Sequence, residues 1–100
     1  MSKSVTTIKP IHPGEVLLHE FMAPLKVSAN RLAKHIHVPT NRVTSIVNGQ
    51  RRITGDTAMR FSRAFGTTPE FWINLQSHYD LECAKDESKI NFGAIVENAA

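Results

Sequence analysis

Five side chains that can recognise DNA bases lie close together in the middle of the chain: Thr40, Asn41, Arg42, Thr44 and Ser45. An asparagine amide can form two hydrogen bonds with adenine, and a guanidinium can do the same with guanine. Serine and threonine hydroxyls contact several base edges in the major groove. A solvated helix face can have the same composition, so the elements that position these residues must decide between the two interpretations.

Apolar spacing predicts that these residues lie on the second of two short helices. The stripe of the first helix is Ala29, Leu32, Ala33 and Ile36, and that of the second is Val43, Ile46 and Val47. Only residues 37–39 connect the two, which matches the short turn of a helix-turn-helix. We therefore predict a helix-turn-helix over residues 28–49, with the polar side chains on the outer face of its second helix.

The ends of these helices have recognisable signals. Ser28 is a suitable N-cap for the first helix, and His37 tolerates the positive φ that such a turn often needs. Pro39 is predicted to begin the second helix, because its missing N–H would be unpaired there. Asn48-Gly49 is predicted to end it in a left-handed conformation.

Three more helices are predicted, so the fold class is all-α with five helices. The first begins at Pro13-Gly14-Glu15 and is halted by Pro24, the fourth extends from Thr54 to Gly66, and the fifth from Thr68 to about Asp86. The domain organisation that follows is a flexible arm over 1–11, a DNA-binding domain over 12–86 and a short tail over 87–100. The tail is apolar enough to take part in a dimer.

Length and charge narrow the class of protein. The 100 residues, 41% of them hydrophobic, suffice for one small core. The net charge of +3 conceals an uneven distribution, because residues 1–66 carry +7 and residues 67–100 carry −4. A basic segment is typical of a phosphate-binding surface, whereas the acidic part would face another protein or solvent. No membrane span or secretory signal is apparent, so we expect an intracellular, cytoplasmic protein.

Other chemistry has little support in the sequence. His35 and His37 are two positions apart and lack the spacing of a metal site, and no catalytic or nucleotide-binding motif is present, so we expect neither a cofactor nor an enzyme. The single Cys83 is interpreted as a packing residue. Trp72 and Tyr79 could form a stacking platform for single strands, but on an amphipathic helix they are better explained as core or dimer seam.

Several blocks of the sequence resemble one known family. They are HPGEVLLHEF (12–21), SANRLAKHI (28–36), VPTNRVTSIVNGQRRIT (38–54) and DTAMRFSRAFGTTPEFWINLQSHYDL (56–81). The chain resembles antitoxins of the HigA or VapI type, within the Cro and phage-repressor (XRE) helix-turn-helix group. The family usually has glycine at position 37 and serine at position 39, and this chain departs from it at both.

The resemblance implies a lambda-repressor-like domain that binds operator DNA as a homodimer, represses its own operon and neutralises an mRNA-cleaving toxin of the HigB type. By position, it assigns base contacts to four side chains, Thr40, Asn41, Thr44 and Ser45. It assigns phosphate contacts to four others, Ser28, Arg42, Arg51 and Arg52. A stand-alone prophage-type regulator without a toxin is the alternative. A toxin-binding module with incidental DNA affinity also remains open, with the acidic helix from Thr68 or the arm as its contact surface.

Overall fold

The computed structural model describes residues 9–87, and this part of the chain consists of helices and short connections. Five helices are present in it: α1 (Pro13–Val16, Leu17–Met22 and Ala23–Leu25, continuous), α2 (Ala29–Ile36), α3 (Thr40–Val47), α4 (Gly55–Phe65) and α5 (Pro69–Glu87). The prediction of an all-α, five-helix fold is confirmed. The predicted arm lies outside the described residues over positions 1–8, as does the predicted tail over positions 88–100.

Helix α1 begins as its sequence predicts but does not end at Pro24. His12 is the N-cap and its Nδ1 accepts a hydrogen bond from the Gly14 amide at 2.8 Å. The middle turns, Leu17–Met22, are π-helical, and the amide of the following Ala23 donates to the Leu18 carbonyl five residues back. Because the hydrogen bonds already depart from the i−4 pattern that proline interrupts, the helix continues through Pro24 to Leu25.

The helix-turn-helix is formed by α2 and α3. Ser28 caps α2 by accepting a hydrogen bond from the Arg31 amide, and His37 ends it in the left-handed region at φ 61°. Pro39 is the N-cap of α3 and has extended backbone, so the prediction that proline begins this helix was wrong by one residue. After α3, Gly49 is left-handed at φ 76°, as predicted, whereas Asn48 is not.

The core combines the apolar stripes of all five helices. Its buried members are Leu17, Met22, Leu32, Ala33, Ile36, Val43, Ile46, Ile53, Ala58, Phe61 and Trp72. Trp72 has no exposed surface and lies among the rings of Phe21, Phe61, Phe65 and Phe71, at centroid distances of 5.0–6.2 Å. The interpretation of Trp72 as core is confirmed, and it is unavailable to a stacking platform or a dimer seam.

Helix α5 is attached to the loop that follows α3. The side-chain oxygen of buried Gln76 accepts a hydrogen bond from the Ile53 amide at 2.7 Å, and the Gln76 amide donates to Asp80. Asp80 in turn binds the Arg52 guanidinium. These contacts hold the loop between α3 and α4 against the last helix. Among the described helices, none is long and apolar enough to span a membrane.

Candidate nucleic-acid interface

The outer face of α3 presents the predicted base-reading side chains together. Thr40 and Asn41 are exposed, and Thr44 and Ser45 are half-buried. The hydroxyl of Thr40 donates to the Asn30 side-chain oxygen of α2 at 2.9 Å, which connects the starts of the two helices. Val43 and Ile46, on the opposite side of α3, are fully buried. The face therefore carries hydrogen-bonding groups on a helix that the core holds firmly.

The backbone of α3 lies against the start of α1 with no room for a side chain between them. A Cβ atom at Gly14 would lie 1.8 Å from the Ile46 carbonyl oxygen and 2.7 Å from its carbon. Only glycine allows this approach, because any larger residue would overlap the backbone of α3. The HPGE motif thus both initiates α1 and fixes the position of the candidate recognition helix.

Two of the predicted phosphate-contacting arginines are in ion pairs with carboxylates. Arg42 Nη1 donates to Asp56 Oδ2 at 2.9 Å, and Arg52 binds both oxygens of Asp80 at 2.8 and 3.4 Å. In both cases the guanidinium partner keeps the pKa of the aspartate below its usual value, with Arg60 the largest contributor at Asp56. Arg51 is exposed beside Arg52.

The fourth predicted phosphate contact, Ser28, is exposed at the start of α2. Its Oγ is 3.1 Å from the Arg31 amide and accepts a hydrogen bond from it. A capping hydroxyl retains a proton that it can donate to an anion, so the cap and a phosphate contact are chemically compatible. The geometry brings Ser28 and Thr40 to the amino-terminal ends of the two helices of the motif.

The His12 side chain contacts three segments of the chain: the start of α1, the loop after α3, and α5. Its buried ring lies edge-on to Tyr79 of α5 at 4.8 Å and is hydrogen-bonded to the Arg51 backbone and the Gly14 amide. A Cβ atom at Gly49 would lie 3.9 Å from the same ring. Burial lowers the pKa of His12 below 6.5, more than Glu15 and Asp80 raise it. The hydrogen bond to the Arg51 backbone connects this ring to the loop that carries Arg51 and Arg52.

Because the pKa of His12 is lowered on folding, we expect the protein to lose stability as the pH falls below about 6.5. In that range the unfolded chain binds a proton that the folded chain does not. Urea unfolding at pH 7.5 and 5.5 would measure the loss, with His12→Asn as the control because asparagine also caps a helix. The wild-type protein should lose more stability than the variant; equal losses would contradict the prediction. The aspartate pKa values lie below 3.8 and do not affect this comparison.

Sequence reasoning missed the carboxylates of Asp56 and Asp80 and the amide of Gln76. Their contacts with Arg42, Arg52 and the Ile53 amide span 14, 28 and 23 positions in the chain, so no local spacing signals them. The local hints were the i, i+4 spacing of Asp56 with Arg60 and of Gln76 with Asp80, and the isolated acidic charge of Asp56 within the basic part of the sequence. In the region from Lys9 to Glu87, no group of three His, Cys, Asp or Glu residues is arranged to hold a metal ion.

Comparison with known proteins gives consistent matches. A family model described as helix-turn-helix matches residues 18–72. Virulence-associated protein I of Dichelobacter nodosus is 48% identical over 82 residues, which cover 81% of this chain and 76% of that protein.

Two solved structures are similar to this chain in fold and in sequence. One is an addiction module antidote protein of a HigA family from Coxiella burnetii, with 53% identity and a TM-score of 0.77, covering 93% of this chain and 97% of the other. The second is the Pseudomonas aeruginosa antitoxin HigA with the higBA promoter, with 40% identity, a TM-score of 0.75 and coverage of 83% and 97%.

Proposed function

This chain belongs to the helix-turn-helix family that includes HigA antitoxins and virulence-associated protein I, and from that premise we propose that it is a sequence-specific DNA-binding repressor. Its operator would lie in the promoter of its own operon, where it acts as the antitoxin of a type II toxin–antitoxin pair. The observation that supports this most is the polar outer face of α3, on a backbone that is similar to a HigA solved with its promoter. The proposed location of the protein is the cytoplasm, because its operator DNA is there.

The proposed division of roles follows the exposure and partners of each side chain. Thr40, Asn41, Thr44 and Ser45 contact bases in the major groove, since amides and hydroxyls of this length reach base edges from a helix. Phosphate contacts are proposed for Ser28 and Arg51, which are exposed beside that face. Arg42 and Arg52 are also assigned phosphate contacts by resemblance, but they pair with Asp56 and Asp80, so a phosphate would compete with a carboxylate for each guanidinium.

The repressor is proposed to act as a homodimer. Recognition helices of a two-fold dimer enter successive major grooves about 34 Å apart, and linking two modules raises the effective concentration of the second contact. Trp72 is enclosed in the core, so Tyr79, which is half-buried, and the tail over 87–100 remain the proposed dimer-associated elements. Residues 12–86 form the proposed DNA-binding domain.

The protein partner is proposed to be a small mRNA-cleaving toxin of the HigB type, encoded beside this gene. The acidic charge of residues 67–100, at −4, favours a surface there for a basic partner. A prophage-type regulator without a toxin is the second candidate. Co-purification with the product of the adjacent gene distinguishes the two, since only an antitoxin retains that product.

The DNA-binding function is tested by replacing Asn41 with alanine. We expect specific binding to weaken by about 1–3 kcal/mol, with relaxed discrimination at one base pair, because the amide is lost from a base edge. Fluorescence anisotropy with the DNA upstream of the gene, and with unrelated DNA of equal length, would measure both affinities. The exposed position of Asn41 predicts little change in thermal stability.

Arg51→Ala is the matched comparison. Removing a phosphate contact should weaken binding to both DNA fragments equally and reduce the salt dependence by about one phosphate. If Asn41→Ala leaves both affinities unchanged, the assignment of α3 as the recognition helix is wrong. If the wild-type protein does not prefer the upstream fragment, the proposed repressor function is wrong.

A further inference from the structure

The carboxylate of Asp56 binds two arginines at the edge of the proposed DNA-binding face. Its Oδ2 accepts hydrogen bonds from Arg42 Nη1 and Arg60 Nε, both at 2.9 Å. Arg60 Nη1 donates in turn to the Ile36 carbonyl, the last of α2, at 2.7 Å. The three elements that meet around the helix-turn-helix are therefore connected through one acidic side chain.

Within this network Arg42 is the member with the most freedom to change partners. Asp56 lies in the first turn of α4, where the helix dipole favours a carboxylate. Arg60 is held both by Asp56, one helical turn away, and by the end of α2. Arg42 has Asp56 as its acidic partner and comes directly after Asn41 on α3, the proposed recognition helix.

The exposure of these ion pairs indicates that they contribute little to the free energy of unfolding. The side chain of Asp56 is 57% exposed, and ion pairs between exposed groups contribute little to stability because solvent screens them. The charges of the network can instead act on the attraction of the protein to DNA. A guanidinium at this position without a carboxylate partner would attract phosphate whatever the base sequence, with release of about one counterion.

Resting on the DNA-binding function proposed above, we propose that Asp56 is a specificity-determining residue. Its carboxylate pairs with the Arg42 guanidinium and thereby weakens the attraction of that positive charge to DNA phosphates. Base contacts from Asn41 and its neighbours then supply a larger share of the affinity than they would if Arg42 were unpaired. Asp56 acts through Arg42 and is a positioning residue, since it touches no base itself.

The test compares Asp56→Asn, the double variant Asp56→Asn/Arg42→Gln and the charge control Glu70→Gln. Glu70 is an exposed acid in the first turn of α5, so its replacement changes the net charge equally. Each full-length protein is titrated by fluorescence anisotropy at several salt concentrations. The probes are the DNA upstream of the gene and an unrelated fragment of equal length.

We expect Asp56→Asn to bind the unrelated DNA about five- to tenfold more tightly at 0.1 M salt. The slope of log affinity against log salt concentration should be steeper by about 0.9. The preference for the upstream fragment should fall. The double variant should have the wild-type slope, because the unpaired Arg42 is the source of the new phosphate contact. The charge control Glu70→Gln should also have the wild-type slope.

Three results would overturn the proposal: an Asp56→Asn slope equal to that of the wild type, a steeper slope that persists in the double variant, or an equal change in Glu70→Gln. Thermal unfolding establishes that each variant is folded, and Asp56→Ser is the second neutral variant if asparagine is not tolerated. Failure of the wild-type protein to prefer the upstream fragment would instead overturn the repressor function itself, together with this inference.

Discussion

Replacing Trp72 with alanine should lower the free energy of unfolding by about 3–5 kcal/mol, the range for deletion of a large buried aromatic side chain. Small domains are stable by only about 5–15 kcal/mol, so this single change removes a large fraction of the total. The indole has no exposed surface and contacts four phenylalanine rings from α1, α4 and α5. Truncation would leave a cavity in the centre of the domain.

The loss is measured by urea unfolding followed by circular dichroism, since the variant lacks the fluorophore. Leu81→Ala is the matched control because Leu81 lies on the same helix with 62% of its surface exposed, and it should change stability by less than about 0.5 kcal/mol. Trp72→Phe should lie between them, as it keeps the ring contacts but loses the hydrogen bond from Nε1 to the Thr67 hydroxyl at 2.7 Å. A loss below about 1 kcal/mol for Trp72→Ala would contradict the described core.

The second large effect is expected from Gly14→Ala. The added methyl would lie 1.8 Å from the Ile46 carbonyl oxygen, so α1 or α3 must shift. Overpacking of this kind costs about 1–3 kcal/mol and occasionally more, and a backbone neighbour cannot move away by changing a rotamer. We expect a loss at or above the upper end of that range, with a parallel loss of specific DNA affinity because α3 itself is displaced.

Gly55→Ala is the control for this prediction. Gly55 is the first residue of α4, and a Cβ atom there meets nothing within 4 Å. Alanine is the better helix former by about 1 kcal/mol, so Gly55→Ala should leave stability unchanged or raise it. Urea midpoints and anisotropy titrations of both variants make the comparison. Similar behaviour of the two alanine variants would show that the close approach at Gly14 is not required.

The sequence predicted those parts of the fold that depend on neighbours along the chain. The caps at Ser28, Thr54 and Thr68 accept hydrogen bonds from amides three residues later. The left-handed turn at His37 likewise follows from its immediate neighbours. Two local predictions failed, at Pro24 and at Pro39. At Pro24 the hydrogen bonds of the helix are shifted by one residue, and at Pro39 the helix starts one residue later; helix propensity alone does not resolve either difference.

By itself, then, the sequence determined five helices, their buried stripes and the polar face of α3, because helical periodicity and capping act over a few residues. Only the tertiary structure determined which charged side chains on and beside that face are paired with carboxylates. Arg42 and Arg52 are bound by Asp56 and Asp80, 14 and 28 positions away, and Gly14 lies against the backbone of Ile46. Such pairs form only when packing of the core brings distant segments together, and packing depends on the shapes of all five helices at once.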